Sequence, residues 1–312
     1  FLLAEELPIP AALYPLNGLH GTRDISPNKN PPGIPNGARF APGPFGNPQG
    51  SYRFSGSFSS YIEIPNNGGL DTRCSITILA WINRENENGP IVNYGTDVWG
   101  FHFWIVNGGL YARPSKRALE SLQCADTPYK LSKNWHYVGT SYNFSSGIVR
   151  LWINGSEVAQ ATSGSEEQST QYNVRMGAKD STTDPRYLKG RICCLQIYNK
   201  SLSQQEIIAV QNRTLNTYQE DSIFIFGHFE TVTASGQQQQ DDLIVTYKAS
   251  TVMECLLYCS RLTECKSAAI EKRSIGQRSR GYCQLNRVPF LVSLDTTGHS
   301  TDKEYYNKRK LM

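Results

Sequence analysis

Residues 147–160 read GIVRLWINGSEVAQ. Val149, Leu151 and Ile153 alternate with Ile148, Arg150, Trp152 and Asn154. A period of two is the pleat of a β-strand, with successive side chains on opposite faces. Asn154-Gly155 interrupts the alternation, and Asn-Gly is the strongest short-range signal for a two-residue hairpin turn. The stretch therefore reads as a β-hairpin with an exposed tip.

The same grammar extends in both directions. YRFSG (52–56) leads to SYIEIP (60–65), where Ile62 and Ile64 share one face and Glu63 takes the other. SITILAWINR (75–84) sets Ile76, Ile78 and Ala80 against Leu79 and Trp81. GFHFWIVNGGLYAR (100–113) holds Asn-Gly-Gly between two β-rich runs, a second hairpin. WHYVGTSYN (135–143), YNVRMGA (172–178) and GRICCLQIYN (190–199) follow the pattern. Short strands at this spacing imply an antiparallel sandwich. Only SQQEIIAVQNR (203–213) reads as a helix, with Ser203 as cap and Glu206 three residues later.

Composition agrees. The chain has 312 residues, a length that favours two domains. Charged residues make up only 19%, while 17 Tyr, 12 Phe and 5 Trp supply large apolar surfaces, the mixture of a β-rich extracellular protein. No stretch approaches the ~20 apolar residues of a membrane span. The first residue is Phe1, not Met, so any secretion signal is expected to have been removed or omitted. The net charge of +4 is too mild to imply nucleic acid. It is uneven, however: between 254 and 287 seven Lys/Arg accompany three Glu, a stretch that reads as a solvated face or, more sharply, as a surface for an acidic partner such as a sulfated glycan.

In order, LYPLNG, SYIEIP, SITILAWINR, WHYVGTSYN, VRLWINGSEVA and GRICCLQIYNKSLSQQEI resemble a laminin-G-like, concanavalin A-like jelly roll of the pentraxin-like branch, over about residues 11–213. The resemblance implies two curved sheets of six or seven strands, closed by the short helix. Trp81, Trp135, Trp152 and Tyr198 are expected to pack the sandwich. Trp99 and Trp104 lie near a strand start, where an indole could stack on a sugar, and Trp99 is the ligand candidate.

Eight cysteines occur: Cys74, Cys124, Cys193, Cys194, Cys255, Cys259, Cys265 and Cys283. Four N-x-S/T acceptors accompany them, at Asn143, Asn154, Asn199 and Asn212. An even cysteine count with glycosylation acceptors favours an oxidising compartment. Cys193 and Cys194 are adjacent in a strand, so they are expected on opposite faces, bonded separately to Cys74 and Cys124 in an undetermined pairing. In STVMECLLYCSRLTECKSAAI (250–270), Ser250 or Thr251 can cap a helix that sets Cys255 and Cys259 on one face. The spacing lacks a paired zinc knuckle and any Cys-x-x-Cys, which leaves disulfides. The expected bonds are Cys255 with Cys283 and Cys259 with Cys265. ECLLYCSRLTECKSAAI, GYCQLNRV and the trailing YY resemble a PAN/apple domain over about 222–309. That resemblance implies a helix on an antiparallel sheet and a non-catalytic protein- or carbohydrate-binding module.

The expected fold is thus mainly β: a jelly-roll sandwich over 1–213, a linker over 214–221, and a small disulfide-stapled α+β domain over 222–312. Chemistry is sparse. The five His lack metal-ligand spacing, and no nucleophile elbow, phosphate loop or dinucleotide fingerprint is present. Glucan-cleaving jelly rolls need two carboxylates at alternating positions of one strand; Glu63 and Asp71 do not supply them. An enzyme is therefore not expected. Calcium is an open expectation at Asp180 and Asp184, in AKDSTTDPRY, with Asp97 and Asp126 nearby in kind. The functional expectation is a secreted recognition or adhesion protein that binds glycans or extracellular proteins, with Trp99, Arg278 and Arg280 as ligand candidates. The alternative is a structural, self-associating subunit of an extracellular matrix or filament.

Overall fold

A computed structural model describes residues 7–95, 100–118, 120–179 and 184–213, together with five strands between 229 and 308. The chain divides into two compact units, Phe1–Asn216 and Thr217–Met312.

The first unit is a sandwich of two antiparallel sheets. The eight-stranded sheet runs β13 (Ser156–Thr162), β12 (Ile148–Ile153), β11 (Trp135–Asn143), β6 (Ile76–Arg84), β15 (Lys189–Tyr198), β4 (Ser51–Ser55) and β3 (Arg39–Ala41), with β1 (Ala12–Tyr14) also paired to β15. The seven-stranded sheet runs β10 (Ala125–Asp126), β9 (Gly109–Arg113), β8 (His102–Val106), β7 (Gly89–Tyr94), β14 (Val174–Met176), β5 (Tyr61–Ile64) and β2 (Ile34–Asn36). The alternation seen in the sequence becomes the two faces of each sheet. Ile62, Ile64, Phe103, Ile105, Val138, Leu151 and Ile82 are fully or almost fully buried, while Glu63 stays half-exposed between Ile62 and Ile64. At about 25 cal/mol per Å², enclosing this apolar surface is the main favourable term in the fold.

Both hairpins form where Asn-Gly stands. Asn107 and Gly108 take φ of 51° and 82°, Asn154 and Gly155 50° and 80°. Positive φ at both central residues is the primed turn that matches strand twist. Gly155 is required twice over, because a Cβ there would meet Ile208 Cγ1 at 2.7 Å. Ile208 belongs to α1, the helix over 204–213, which docks on this hairpin tip.

The capping box at the start of α1 closes as its sequence implies. Ser203 N donates to Glu206 Oε2 at 2.7 Å, and Glu206 N donates to Ser203 Oγ at 3.3 Å. Leu202, Ile207 and Val210 bury its apolar side. Ser203→Ala should cost about 1 kcal/mol, read as a lower urea midpoint at unchanged slope.

The N-terminal approach to the sandwich is organised by one buried carboxylate. Asp24 Oδ1 accepts from Leu13 N and Ser26 N, both at 2.8 Å. Its Oδ2 accepts from Ser26 Oγ and Asn30 N, both at 2.8 Å, and from Asn30 Nδ2 at 2.7 Å. Asn28 and Asn30 also donate to Ala11 O. The network ties β1, and through it β15, to the segment that follows.

The geometry at Cys193 and Cys194 corrects one expectation for the sandwich, that of opposite faces. Cys193 and Cys194 do not point to opposite faces. Register slips between Cys193 and Gln196 where β15 pairs with β6, and Cys194 takes φ 57°. An extra residue in a bulge breaks the pleat, so neighbouring side chains can turn to the same side. The two sulfurs lie 3.1 Å apart and fully buried. Cys74 is exposed and Cys124 half-buried; neither is bonded to the adjacent pair.

In the second unit, five antiparallel strands are arranged β16 (Phe229–Thr231), β20 (Lys303–Lys308), β18 (Ser267–Ile275), β19 (Arg278–Asn286) and β17 (Leu243–Ala249). Cys283 lies in β19, in register with Tyr247 and Ile270. Cys255, Cys259, Cys265 and the helix expected around them fall outside the described residues.

Candidate functional site

The outer face of the seven-stranded sheet carries a row of polar residues in direct register. Arg113 on β9 pairs with His102 on β8, which pairs with Asn93 on β7. Asn93 pairs with Arg175 on β14, and Arg175 with Glu63 on β5. These residues alternate with the core residues of the same strands, so the row follows directly from the pleat.

Each member is held by its neighbours. Arg113 Nη2 lies 2.8 Å from His102 Nδ1 and 3.1 Å from Nε2. Burial holds the imidazole well below its ordinary pKa, and the Arg113 charge adds to the effect. His102 is therefore neutral near pH 7 and can accept from the guanidinium. Arg175 Nε and Nη2 reach Glu63 Oε2 at 3.1 and 3.0 Å, a pair whose arginine side chain is 8% exposed. The Arg175 guanidinium also lies 3.9 Å from the Tyr61 ring centroid.

Aromatic rings flank the row. Trp104 sits next to His102 along β8, with the rings stacked at 5.0 Å and 17°. Trp104 Nε1 donates to Asn93 Oδ1 at 3.2 Å. Arg186 caps the indole at 4.8 Å and is itself clamped by Asp184 through contacts of 2.8 and 2.7 Å. Tyr111 faces Trp104 from β9. Burial raises the Tyr111 phenol pKa, Arg113 opposes that rise, and Cys124 adds to it.

The arrangement has two levels. Asn93, His102, Trp104 and Arg175 are buried supports, whereas Tyr61, Glu63, Tyr111 and Arg113 are half-exposed and Arg186 is exposed. Guanidinium, carboxylate and phenol groups on rigid strands, beside aromatic rings, can hydrogen-bond hydroxyl or carboxyl groups and stack on an apolar ring face.

The sequence candidates are placed differently. Trp99 and Asp180 lie outside the described residues. Trp104 flanks the row but is only 1% exposed, so it supports the face from below. Asp184 spends its carboxylate on Arg186, which holds its pKa below the ordinary value. Among the described residues no group of three His, Cys, Asp or Glu is arranged to hold a metal. Trp81, Trp152 and Tyr198 are buried, and Trp135 carries Arg191 over its ring at 5.2 Å. Asn154, Asn199 and Asn212 are exposed and Asn143 half-buried. Asn154 Oδ1 accepts from Tyr137 N at 3.0 Å. Arg278 and Arg280 lie in β19 near the β18–β19 turn, in register with Ile275 and Arg273. The Arg113–Glu63 row went unread in the sequence because register between distant strands has no local signal. Its one trace was a polar residue inside each β-rich run.

Comparisons with known proteins agree with this architecture. Residues 55–208 match the Laminin_G_3 model, described as the concanavalin A-like lectin/glucanases superfamily. The sequence has no significant match among curated proteins. Solved structures similar to the chain include the binding domain of Paraclostridial Mosquitocidal Protein 1, at TM-score 0.51 and 14% identity over 93% of this chain and 69% of that one. Domain 4 of AbnA, an extracellular arabinanase from Geobacillus stearothermophilus, was solved with arabinotriose; it has TM-score 0.51 and 18% identity over 65% of this chain and 98% of that one. The ligand binding domain of botulinum neurotoxin serotype D, solved with N-acetylneuraminic acid, has TM-score 0.50 and 14% identity over 78% of this chain and 57% of that one. The chain thus spans just over half of the neurotoxin domain, and likeness at such identities establishes fold alone. Topology, family match and solved neighbours agree that residues 55–208 carry a concanavalin A-like jelly roll.

Proposed function

We propose that the protein is a secreted, non-catalytic recognition or adhesion protein whose jelly roll binds a glycan on the outer face of the seven-stranded sheet. The observation that carries this reading is the register row from Arg113 to Glu63 with Tyr111 and Tyr61 beside it. Rigid polar groups flanked by aromatic rings are the usual means of fixing a sugar. One neighbour is an arabinanase domain solved with arabinotriose and another a ligand binding domain solved with N-acetylneuraminic acid, which supports the ligand class without naming the sugar. The non-catalytic part is supported by how the carboxylates are used. Glu63 is paired with Arg175 and Asp71 with Arg117, the latter through contacts of 2.6 and 2.9 Å that lower the carboxyl's pKa. A general acid requires a raised pKa instead.

The test is a glycan array followed by calorimetry on the sugars retained. Tyr111→Ala and Arg113→Ala should each weaken binding by about tenfold or more, the scale of a central contact. Arg150→Ala, on β12 of the other sheet, should leave affinity unchanged. Absence of retention on every glycan, or equal losses in the Arg150 variant, would sink the proposal.

A further inference from the structure

Cys193 and Cys194 occupy a position that a regular strand would not create. β15 is central in the eight-stranded sheet, with β1, β4 and β6 bonded along its length. Between Cys193 and Gln196 its register to β6 slips, so Cys193 faces Trp81 while Gln196 faces Leu79. Cys194 sits in the bulge with φ 57°. Left-handed backbone at a residue that is neither glycine nor asparagine is uncommon, and it persists only where the surroundings hold it. Cys194 N donates to Pro15 O at 3.0 Å, which pins the bulge from the side of β1.

The result is to bring adjacent sulfurs to 3.1 Å, where a regular pleat would direct them apart. Both residues are completely buried, and Cys74 and Cys124 are bonded to neither. From the bulge, the left-handed residue and the converging sulfurs, we infer that Cys193 and Cys194 are a site of covalent modification: they close with each other into a vicinal disulfide.

The chemistry requires a disulfide oxidant, such as oxidised glutathione or a protein dithiol oxidase. One cysteine thiolate attacks the oxidant's disulfide and expels a thiolate, forming a mixed disulfide. The neighbouring thiolate then attacks that cysteine's sulfur and displaces the second thiolate. Two protein thiols lose two protons and two electrons, and the oxidant becomes two thiols. The bond forms before the sandwich closes, because the folded core admits no oxidant to either sulfur. Burial also raises the Cys193 thiol pKa and suppresses its nucleophilic form. An oxidised pair would then remain oxidised as long as the sandwich stays folded. A ring between neighbours closes almost no chain, so its effect is to fix the bulge rather than to restrict the unfolded state.

The test is the redox state of the full-length protein secreted from eukaryotic cells. Unfolded in urea without reductant, it is treated with iodoacetamide, freed of N-linked glycans and digested with trypsin. The peptide spanning 192–200 should carry no label and be lighter by two hydrogens than its dithiol form. Reduction before labelling should raise its label count from none to two. In the Cys193→Ser variant, Cys194 should take one label without reduction. Two labels on the unreduced wild-type peptide, or a crosslink from it to a peptide containing Cys74 or Cys124, would overturn the inference.

Discussion

Asp24→Ala is expected to remove on the order of 4–6 kcal/mol from the stability of the jelly roll. The carboxylate accepts five hydrogen bonds from Leu13, Ser26 and Asn30, all between 2.7 and 2.8 Å. The residue is 6% exposed, so water has little access to the donors that would be orphaned. A hydrogen bond to a charged group contributes about 1.5–3 kcal/mol, and a buried donor left without a partner costs about 1–3 kcal/mol. Simple addition would overshoot, because donors that share one acceptor are coupled and the segment can relax. Asp24→Asn separates charge from geometry. Its Oδ1 can still receive Leu13 N and Ser26 N, but its NH₂ would confront donors from Asn30. It should fall between wild type and alanine, at a loss of about 2–3 kcal/mol. All five tryptophans lie between 81 and 152, so urea unfolding followed by indole fluorescence reads the jelly roll without the second unit. A loss below about 1 kcal/mol for Asp24→Ala would mean that the carboxylate is not what fastens β1.

How far the sequence reveals this molecule depends on the distance over which each signal acts. The pleat of β5, the Asn-Gly turns and the Ser203–Glu206 cap are written within a few residues, and all are present as expected. β2 and β3 are not evident beforehand. They are three-residue edge strands in a Pro- and Gly-rich stretch, where pairing depends on a partner elsewhere in the chain. The expectation that Cys193 and Cys194 face opposite ways fails for a related reason. Alternation assumes an unbroken ladder, and the bulge at Cys194 is set by how β15 meets β6 and β1, not by the Cys-Cys pair itself. The binding row has the same character. Arg113, His102, Asn93, Arg175 and Glu63 come from five strands spread over more than one hundred residues, and only register makes them neighbours. The sequence does announce the polar exceptions, since His102 and Arg175 interrupt otherwise apolar runs. Their shared face is a property of the closed sheet.

Trp104 tests whether that face is built in two levels. Trp104→Ala should cost about 3–5 kcal/mol, the range for truncating a buried aromatic side chain. In a unit of this size the midpoint of thermal unfolding should fall on the order of 10 °C. Such a variant cannot report on binding by itself, because His102 and Arg186 both lean on the lost ring. Trp104→Phe is the more informative change. It keeps an aromatic surface beneath both partners but removes the 3.2 Å bond to Asn93, for a loss of about 1–2 kcal/mol. Asn93 Nδ2 still donates to Gly95 O at 2.8 Å, which should keep its amide in place. If the indole is a support and the half-exposed groups meet the glycan, Trp104→Phe should lower the melting temperature while changing affinity less than about threefold. Tyr111→Ala should do the reverse, weakening binding by about tenfold or more with little change in melting. Comparable affinity losses in the two variants, measured on protein that is fully folded, would place the indole in contact with the sugar. The face would then open further than its 1% exposure implies.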